Sequence, residues 1–246
     1  MTITIDGKPC VCESGEVLLD VASRNGIVIP TLCHHEGLPG QGCCRVCVAQ
    51  VEAGGRSEIV AACVYPVERE CEVFTANETV RRLRAMVLSL LHSLAPDSSE
   101  VADLCGEYGA QEYDRFIKKH GGKCILCGLC VKACESFGTG AIWTVKRGVL
   151  KAVSTPYDEP SLVCVGCAGC AGVCPADAIE VTETENERKI WNKTFKLMHC
   201  PKCGGTMGTQ MELWRAASKI GSEVPELCEV CRKKAIANVM ADTYGC

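Results

Sequence analysis

The chain opens on a period of two. Thr2-Ile3-Thr4-Ile5 alternates along β-branched residues and runs into Asp6-Gly7, which predicts a strand, a tight turn and a return strand over 10–12. The period then lengthens: Val17, Leu18, Val21 and Ala22 share one face of a predicted helix over 15–25, with Ser14 placed to cap it and Gly26 to end it. A loop rich in Gly, Cys and Pro fills 31–45, and strands are predicted near 46–52, 58–63 and 71–74. Val80, Leu83, Val87, Leu88 and Leu91 make the apolar stripe of a helix over 78–95, with Arg81, Arg82 and Arg84 as its solvated side. A second helix is predicted over 99–119, and Gly121-Gly122 marks a boundary. Residues 183–196 are charged and read as a connection to a C-terminal unit, where a helix over 206–220 carries Met207, Met211, Leu213 and Trp214 as packing or partner surface. This mixture of elements predicts an α+β fold.

Composition changes the picture of what holds these elements together. Of 246 residues, 22 are cysteine, and without them the hydrophobic share falls from 47% to about 38%. The ordinary apolar core is therefore thin. A net charge of −4 argues against a nucleic-acid partner. No run approaches the ~18 apolar residues of a transmembrane helix, and MTITIDGKP carries no apolar signal region. The expected location is cytoplasmic, where dense cysteine means metal or redox chemistry rather than disulfides.

The cysteines fall into four groups. In the first, Cys33, Cys44, Cys47 and Cys63 are spaced C-x10-C-x2-C-x15-C. A [2Fe–2S] cluster needs four thiolates, and glycines at 37, 40 and 42 let the loop curl closely around one. Cys43 competes with Cys44, but Cys44 gives the two-residue gap to Cys47. His34 and His35 would supply half of a Rieske pattern whose second half is absent from the sequence. The stretch from Pro30-Thr31-Leu32-Cys33-His34 through Gly42-Cys43-Cys44-Arg45-Val46-Cys47 to Ala62-Cys63 resembles the N-terminal [2Fe–2S] domain of the complex I large iron–sulfur subunit. It is equally similar to the diaphorase iron–sulfur (gamma-type) subunit of NAD-linked bidirectional hydrogenases. The resemblance implies a β-grasp ferredoxin domain over 1–78 and supports Cys44 as the ligand.

Both families follow that domain with a His and three Cys that bind a [4Fe–4S] cluster. Here His92 occupies the histidine's place, but Pro96, Asp97, Ser98 and Ser99 follow where cysteines would, and Cys105 lies inside the next predicted helix. The helical segment 79–121 is thus expected to hold no cluster, with His92 a helix-end residue.

Cys124, Cys127, Cys130 and Cys134 form a C-x2-C-x2-C-x3-C run that Cys164, Cys167, Cys170 and Cys174 repeat, Pro175 following. In this two-cluster bacterial pattern the fourth Cys of each run ligates the other cluster. The spacing assigns one [4Fe–4S] to Cys124, Cys127, Cys130 and Cys174, and a second to Cys134, Cys164, Cys167 and Cys170, within a ferredoxin domain over 122–183. The swap is expected to bring the two clusters side by side. Glu135 stands where proline is usual after the fourth Cys, a departure shared by the two families. Gly140-Ala141-Ile142 and Ala176-Asp177-Ala178-Ile179 are matching half-repeat ends, expected to pack on the clusters.

The last group is Cys200, Cys203, Cys228 and Cys231, two Cys-x-x-Cys pairs with 24 residues between them, in a module over 184–246. This is zinc-ribbon spacing, with a third [4Fe–4S] as the alternative. The module resembles the C-terminal extension of some ferredoxin-like subunits in membrane-bound formate- and hydrogen-linked complexes. Cys10, Cys12, Cys43, Cys71, Cys105 and Cys246 remain over, as small buried hydrophobes or free thiols.

The sequence contains no glycine-rich dinucleotide fingerprint, no P-loop and no Ser/His/Asp arrangement, so no catalytic residue is assigned. The resemblance, over residues 1–182, implies a non-catalytic iron–sulfur electron-transfer subunit of an NAD(P)-linked oxidoreductase complex. Its implied partners are a flavoprotein that oxidises NAD(P)H and a second redox subunit of hydrogenase or formate dehydrogenase type. The alternative is a free-standing polyferredoxin.

Overall fold

The structure is a computed structural model that describes residues 1–113 and 122–244. The chain divides into two units. The first comprises Met1–Lys132, Lys146–Ala152 and Val173–Ala178; the second comprises Ala133–Val145, Val153–Gly172 and Ile179–Cys246.

The first unit begins as the alternation predicts. β1 (Thr2–Ile5) and β2 (Lys8–Val11) form a hairpin in which Asp6 and Gly7 both take positive φ, as a two-residue turn of this hand demands. With β4 (Val48–Ala53), β5 (Arg56–Ala61) and β7 (Glu72–Phe74) they make a five-stranded sheet of order β2-β1-β7-β4-β5. β1 runs parallel to β7, and the other pairs are antiparallel. Helix α1 (Leu18–Arg24) buries Leu18, Leu19, Val21 and Ala22 against Ile3, Ile5, Val51 and Val73 of the sheet. A helix on a mixed sheet is the expected β-grasp arrangement. Ser14 does not cap α1. Glu16–Val17 is instead a short strand, β3, paired with β6 (Pro66–Val67), and the helix starts from extended Val17 without a side-chain cap.

Helix α2 (Glu78–Leu94) starts where Asn77 accepts a hydrogen bond from the Val80 N–H. α3 (Ser99–Tyr108) starts on Ser98 and stops at Gly109, whose left-handed φ ends it short of the expected 119. The remainder of that predicted helix lies largely outside the described residues. The expected solvated face of α2 is also corrected at one position. Arg84 is 1% exposed, and its guanidinium donates to the carbonyls of Val46 (2.9 Å), Val48 (2.9 Å) and Thr75 (3.0 Å). It also lies 4.9 Å from the centre of the Tyr108 ring. A buried cation can persist here because its Nε and Nη2 donors reach carbonyls and its plane lies near a π face. Below α2 and α3 a second core joins Leu88, Ala95 and Val101 to Leu32, Val46, Ile125 and Leu129.

The second unit replaces the expected connection at 183–196 with a sheet. β10 (Val181–Glu183), β11 (Glu187–Ile190), β12 (Lys193–His199) and β13 (Thr206–Thr209) run antiparallel in sequence order. Glu187, Lys189 and Lys196, charged residues that read as a linker, lie on the exposed face of these strands, while Ile190, Phe195 and Leu197 are buried and Arg188 and Lys193 are half-buried. β11 and β12 join through a two-residue turn at Trp191 and Asn192, both at positive φ. The expected helix over 206–220 is shorter: β13 comes first, and α6 (Gln210–Ile220) begins at a Thr209–Glu212 capping box. The unit also holds β8 (Trp143–Val145), α5 (Gly169–Gly172) and α7 (Glu229–Tyr244). Two further elements, β9 (Ala152–Ser154) and α4 (Leu129–Phe137), contain residues of both units. Among the described residues no helix is long and apolar enough to cross a membrane.

Candidate iron–sulfur and metal centres

The loop between α1 and β4 brings Cys33, Cys44 and Cys47 to Cys63, which sits in a short 3-10 turn after β5. All four are buried. The Cys44 N–H donates to Cys33 Sγ at 3.3 Å. The Cys33 thiol lies far below its ordinary pKa because the thiols of Cys43, Cys44 and Cys63 all donate to it. Cys47 is held down to about 7, chiefly by Cys63. Cys43, Cys44 and Cys63 are pushed up in turn, because Cys33 takes the shared negative charge. Sulfurs crowded enough to compete for one charge suit a polynuclear cation that lets every thiolate ionise. The donor set therefore fits a [2Fe–2S] group. Cys43, by contrast, is exposed, and its thiol also donates to the Cys127 carbonyl at 3.2 Å. Gly40 and Gly42 are required by space: a Cβ on Gly40 would lie 2.6 Å from the Cys63 carbonyl oxygen, and one on Gly42 would lie 2.9 Å from Val64.

The repeat cysteines separate into two sets. The Cys127 thiol is raised to about 11 by burial, and the other thiols acting on it are Cys174, Cys124 and the more distant Cys33. Cys124, Cys127, Cys130 and Cys174 all fall in the first unit. In the second unit, Cys170 is also raised to about 11 by burial, with Cys167, Cys134 and Cys164 as its thiol neighbours. Cys134 therefore sits with the second run and Cys174 with the first. Buried thiols with raised pKa values want a cation to ionise against, which the chemistry of a [4Fe–4S] group supplies.

Backbone strain marks these loops. Arg45, Leu126 and Ala168 are non-glycine residues at positive φ, each inside a Cys-x-x-Cys gap. N–H groups also point at sulfur. Leu126 donates to Cys124 (3.4 Å), Ala141 to Cys134 (3.1 Å) and Ala178 to Cys174 (3.3 Å). Ala141 and Ala178 are the equivalent half-repeat ends. The sequence suggested packing there, and the structure adds a hydrogen bond to each swapped cysteine.

His92 stands at the end of α2 with Nε2 3.3 Å from Glu112, and its buried Nδ1 has no partner. The Cys105 thiol faces the Leu88 carbonyl at 3.6 Å.

Cys200 and Cys203 occupy a tight turn after β12, and a bulge between Met198 and His199 aims the chain into it. Cys228 and Cys231, the second Cys-x-x-Cys pair, lie at the start of a helix rather than in a turn. They bracket the first turn of α7, where the Cys231 N–H donates to Cys228 Sγ at 3.5 Å. The four sulfurs lie within 4.8 Å of one another, close enough to share one metal ion. Cys200 is held down to about 6 by backbone N–H groups around it, and Cys231 is pushed up to about 12 by burial and its neighbouring thiols.

Comparison with known proteins places these sites in context. Residues 1–78 match the family described as a 2Fe-2S iron-sulfur cluster binding domain, and residues 117–181 match a 4Fe-4S dicluster domain. The chain is 30% identical to the NADPH-Fe(3+) oxidoreductase subunit alpha of Geobacter sulfurreducens, over 86% of this chain and 27% of that protein. It is 35% identical to the NADP-reducing hydrogenase subunit HndD of Solidesulfovibrio fructosivorans, over 73% of this chain and 36% of that one. The NADH-ubiquinone oxidoreductase 75 kDa subunit of Reclinomonas americana is 30% identical over 63% of this chain and 26% of its own length. A solved structure of NAD+-reducing [NiFe]-hydrogenase in the H2-reduced state includes a chain similar at TM-score 0.60 and 28% identity, covering 72% of this chain and 85% of that one. The chain is similar to subunits of NAD(P)-linked hydrogenases and of complex I. It carries their iron–sulfur domains but spans only about a quarter to a third of the length of these curated relatives.

Proposed function

We propose that the chain is an iron–sulfur electron-transfer subunit of a multisubunit NAD(P)-linked oxidoreductase in the cytoplasm. The observation that supports this best is the way buried thiols act on one another: Cys43, Cys44 and Cys63 on Cys33, Cys174 and Cys124 on Cys127, and Cys167, Cys134 and Cys164 on Cys170. Cys33, Cys44, Cys47 and Cys63 would hold a [2Fe–2S] cluster. Cys124, Cys127, Cys130 and Cys174 would hold one [4Fe–4S], and Cys134, Cys164, Cys167 and Cys170 a second. Bound clusters would supply one-electron chemistry, and the chain's task is to space, bury and tune them. No residue is assigned a catalytic role. A flavoprotein subunit that oxidises NAD(P)H and a second redox subunit of hydrogenase or formate dehydrogenase type would flank it.

For the C-terminal set we propose zinc. A tetrahedral ion bound at ~2.3 Å holds thiolates ~3.8 Å apart, and Cys203 and Cys228 lie 3.7 Å apart. A cubane, with one thiolate on each of four irons, spreads its ligands wider. The four segments 1–78, 79–121, 122–183 and 184–246 remain the proposed functional division.

Metal, sulfide and EPR analysis of anaerobically purified protein tests the inventory. About ten irons in one [2Fe–2S] and two [4Fe–4S], with one zinc, are expected. About fourteen irons without zinc would overturn the C-terminal assignment. Gel filtration of native extract tests the subunit role, since elution as a lone 26.4 kDa chain would favour a free polyferredoxin.

A further inference from the structure

Strands β11–β13 follow the 4Fe-4S dicluster match, which ends at residue 181, and the contacts of this sheet converge on one cluster loop. Lys193 Nζ donates to the carbonyls of Ser161 (2.9 Å), Leu162 (3.3 Å) and Cys164 (2.9 Å). Thr209 Oγ1 donates to the Val165 carbonyl, and Arg188 donates to that of Gly166 at 2.8 Å. The Phe195 ring covers Gly166 so closely that a Cβ there would lie 2.6 Å from it. From α6, Arg215 and Lys219 donate to the carbonyls of Gly138 and Ser136, just after Cys134. Trp191 touches the sulfur shell itself: its indole Nε1–H donates to Cys170 Sγ at 3.4 Å. Trp191 holds a left-handed φ of 51° as the first residue of the β11–β12 turn, and that turn presents its ring to the sulfur.

We infer that the C-terminal sheet is a cap on the site of Cys134, Cys164, Cys167 and Cys170, and that Trp191 and Lys193 at its hairpin tip set that site's reduction potential. The inference rests on the reading that these cysteines hold a [4Fe–4S] group. Its physical basis is charge. Reduction adds a negative charge, so a hydrogen-bond donor on a ligand sulfur and a nearby ammonium both favour the reduced form and raise the potential. Arg188 is not assigned this role, because Glu183 and Glu212 compensate its charge. Lys193 faces carbonyls and the Phe195 ring, 4.9 Å from its ammonium, and no ion pair to it is found among the described residues.

The test is an EPR-monitored redox titration of the full-length, anaerobically purified protein, with iron counted in each sample. Trp191→Phe keeps the ring and removes the donor; Lys193→Met keeps the stem and removes the charge. In each, one [4Fe–4S] couple is expected to move to lower potential, by about tenfold in its reduction equilibrium, or about 59 mV for one electron. The other [4Fe–4S] and the [2Fe–2S] couples stay fixed, and Lys193→Arg restores the value. A chain labelled with 15N at the indole nitrogen should show a nitrogen hyperfine coupling at one [4Fe–4S], absent from Trp191→Phe. That reading on the unaltered chain holds even if a variant loses its cluster. Unmoved couples in both variants, or no indole coupling, would overturn the inference while leaving the cluster assignment intact. An unaltered chain with a single [4Fe–4S] would instead overturn the assignment.

Discussion

Replacing Arg84 by Met should destabilise the first unit without altering its surface. Met refills most of the buried volume, so the loss is polar. The carbonyls of Val46, Val48 and Thr75 each lose a donor at 2.9–3.0 Å in a site closed to water. At the lower end of the cost for orphaning a buried polar group, three carbonyls give ~3 kcal/mol. The lost contact with the Tyr108 ring adds ~0.5–1 kcal/mol. Burial already lowers the pKa of Arg84, so some of its interaction energy is offset by the cost of desolvating the charge, and ~3–4 kcal/mol is the expected net loss. At ~2–4 °C per kcal/mol for a chain of this size, the melting temperature should fall by about 6–16 °C. Val46 lies between Cys44 and Cys47, and Val48 follows Cys47, so visible absorbance of the [2Fe–2S] group should bleach early in the same thermal scan. Arg84→Lys keeps the charge but loses the planar fork and should fall in between. A Met variant within ~0.5 kcal/mol of the unaltered protein, the range of ordinary surface changes, would refute the claim that this buried guanidinium holds the loop.

Other expectations are more direct. Cys44→Ser should strip or spectrally alter the [2Fe–2S] group, whereas Cys43→Ser should leave all about ten irons in place; the reverse outcome would make Cys43 the ligand. Gly166→Ala forces a Cβ against the Phe195 ring at φ +73° and should cost ~2–4 kcal/mol. Its iron count should drop by the one [4Fe–4S] of Cys164, and full retention of both iron and stability would contradict the packing. Titrating the protein with a mercurial in the presence of a zinc indicator should release one zinc per chain. In Cys203→Ser that zinc should be missing while the iron count is unchanged; loss of four irons in that variant would argue for a cluster at the site instead.

What the sequence carries by itself is the pattern of its cysteines, because most of the thiolates expected at each site come from one short run and only the fourth from a distant one. A thiolate set needs fixed short spacings, and these are visible in Cys44–Cys47 and in the two repeat runs without any knowledge of tertiary contacts. The alternation of residues 2–5 and the stripe of 80–91 likewise declared their elements, since each period reports one buried face. The misread elements were those whose partners lie far along the chain. Arg84 looked solvated because a polar residue on a helix is assumed to face water, and the carbonyls that receive it lie nine to 38 positions away. Residues 183–196 looked like a linker because one face of a sheet exposed to solvent is as charged as a loop. Ser14 was an apparent cap until pairing with Val67 claimed Gly15 and Glu16, the two residues after it. Only the folded chain could place the Trp191 indole on Cys170, 21 positions upstream. That contact depends on a hairpin turn, a strand register and a loop curled around its sulfurs, and spacing along the sequence encodes none of these.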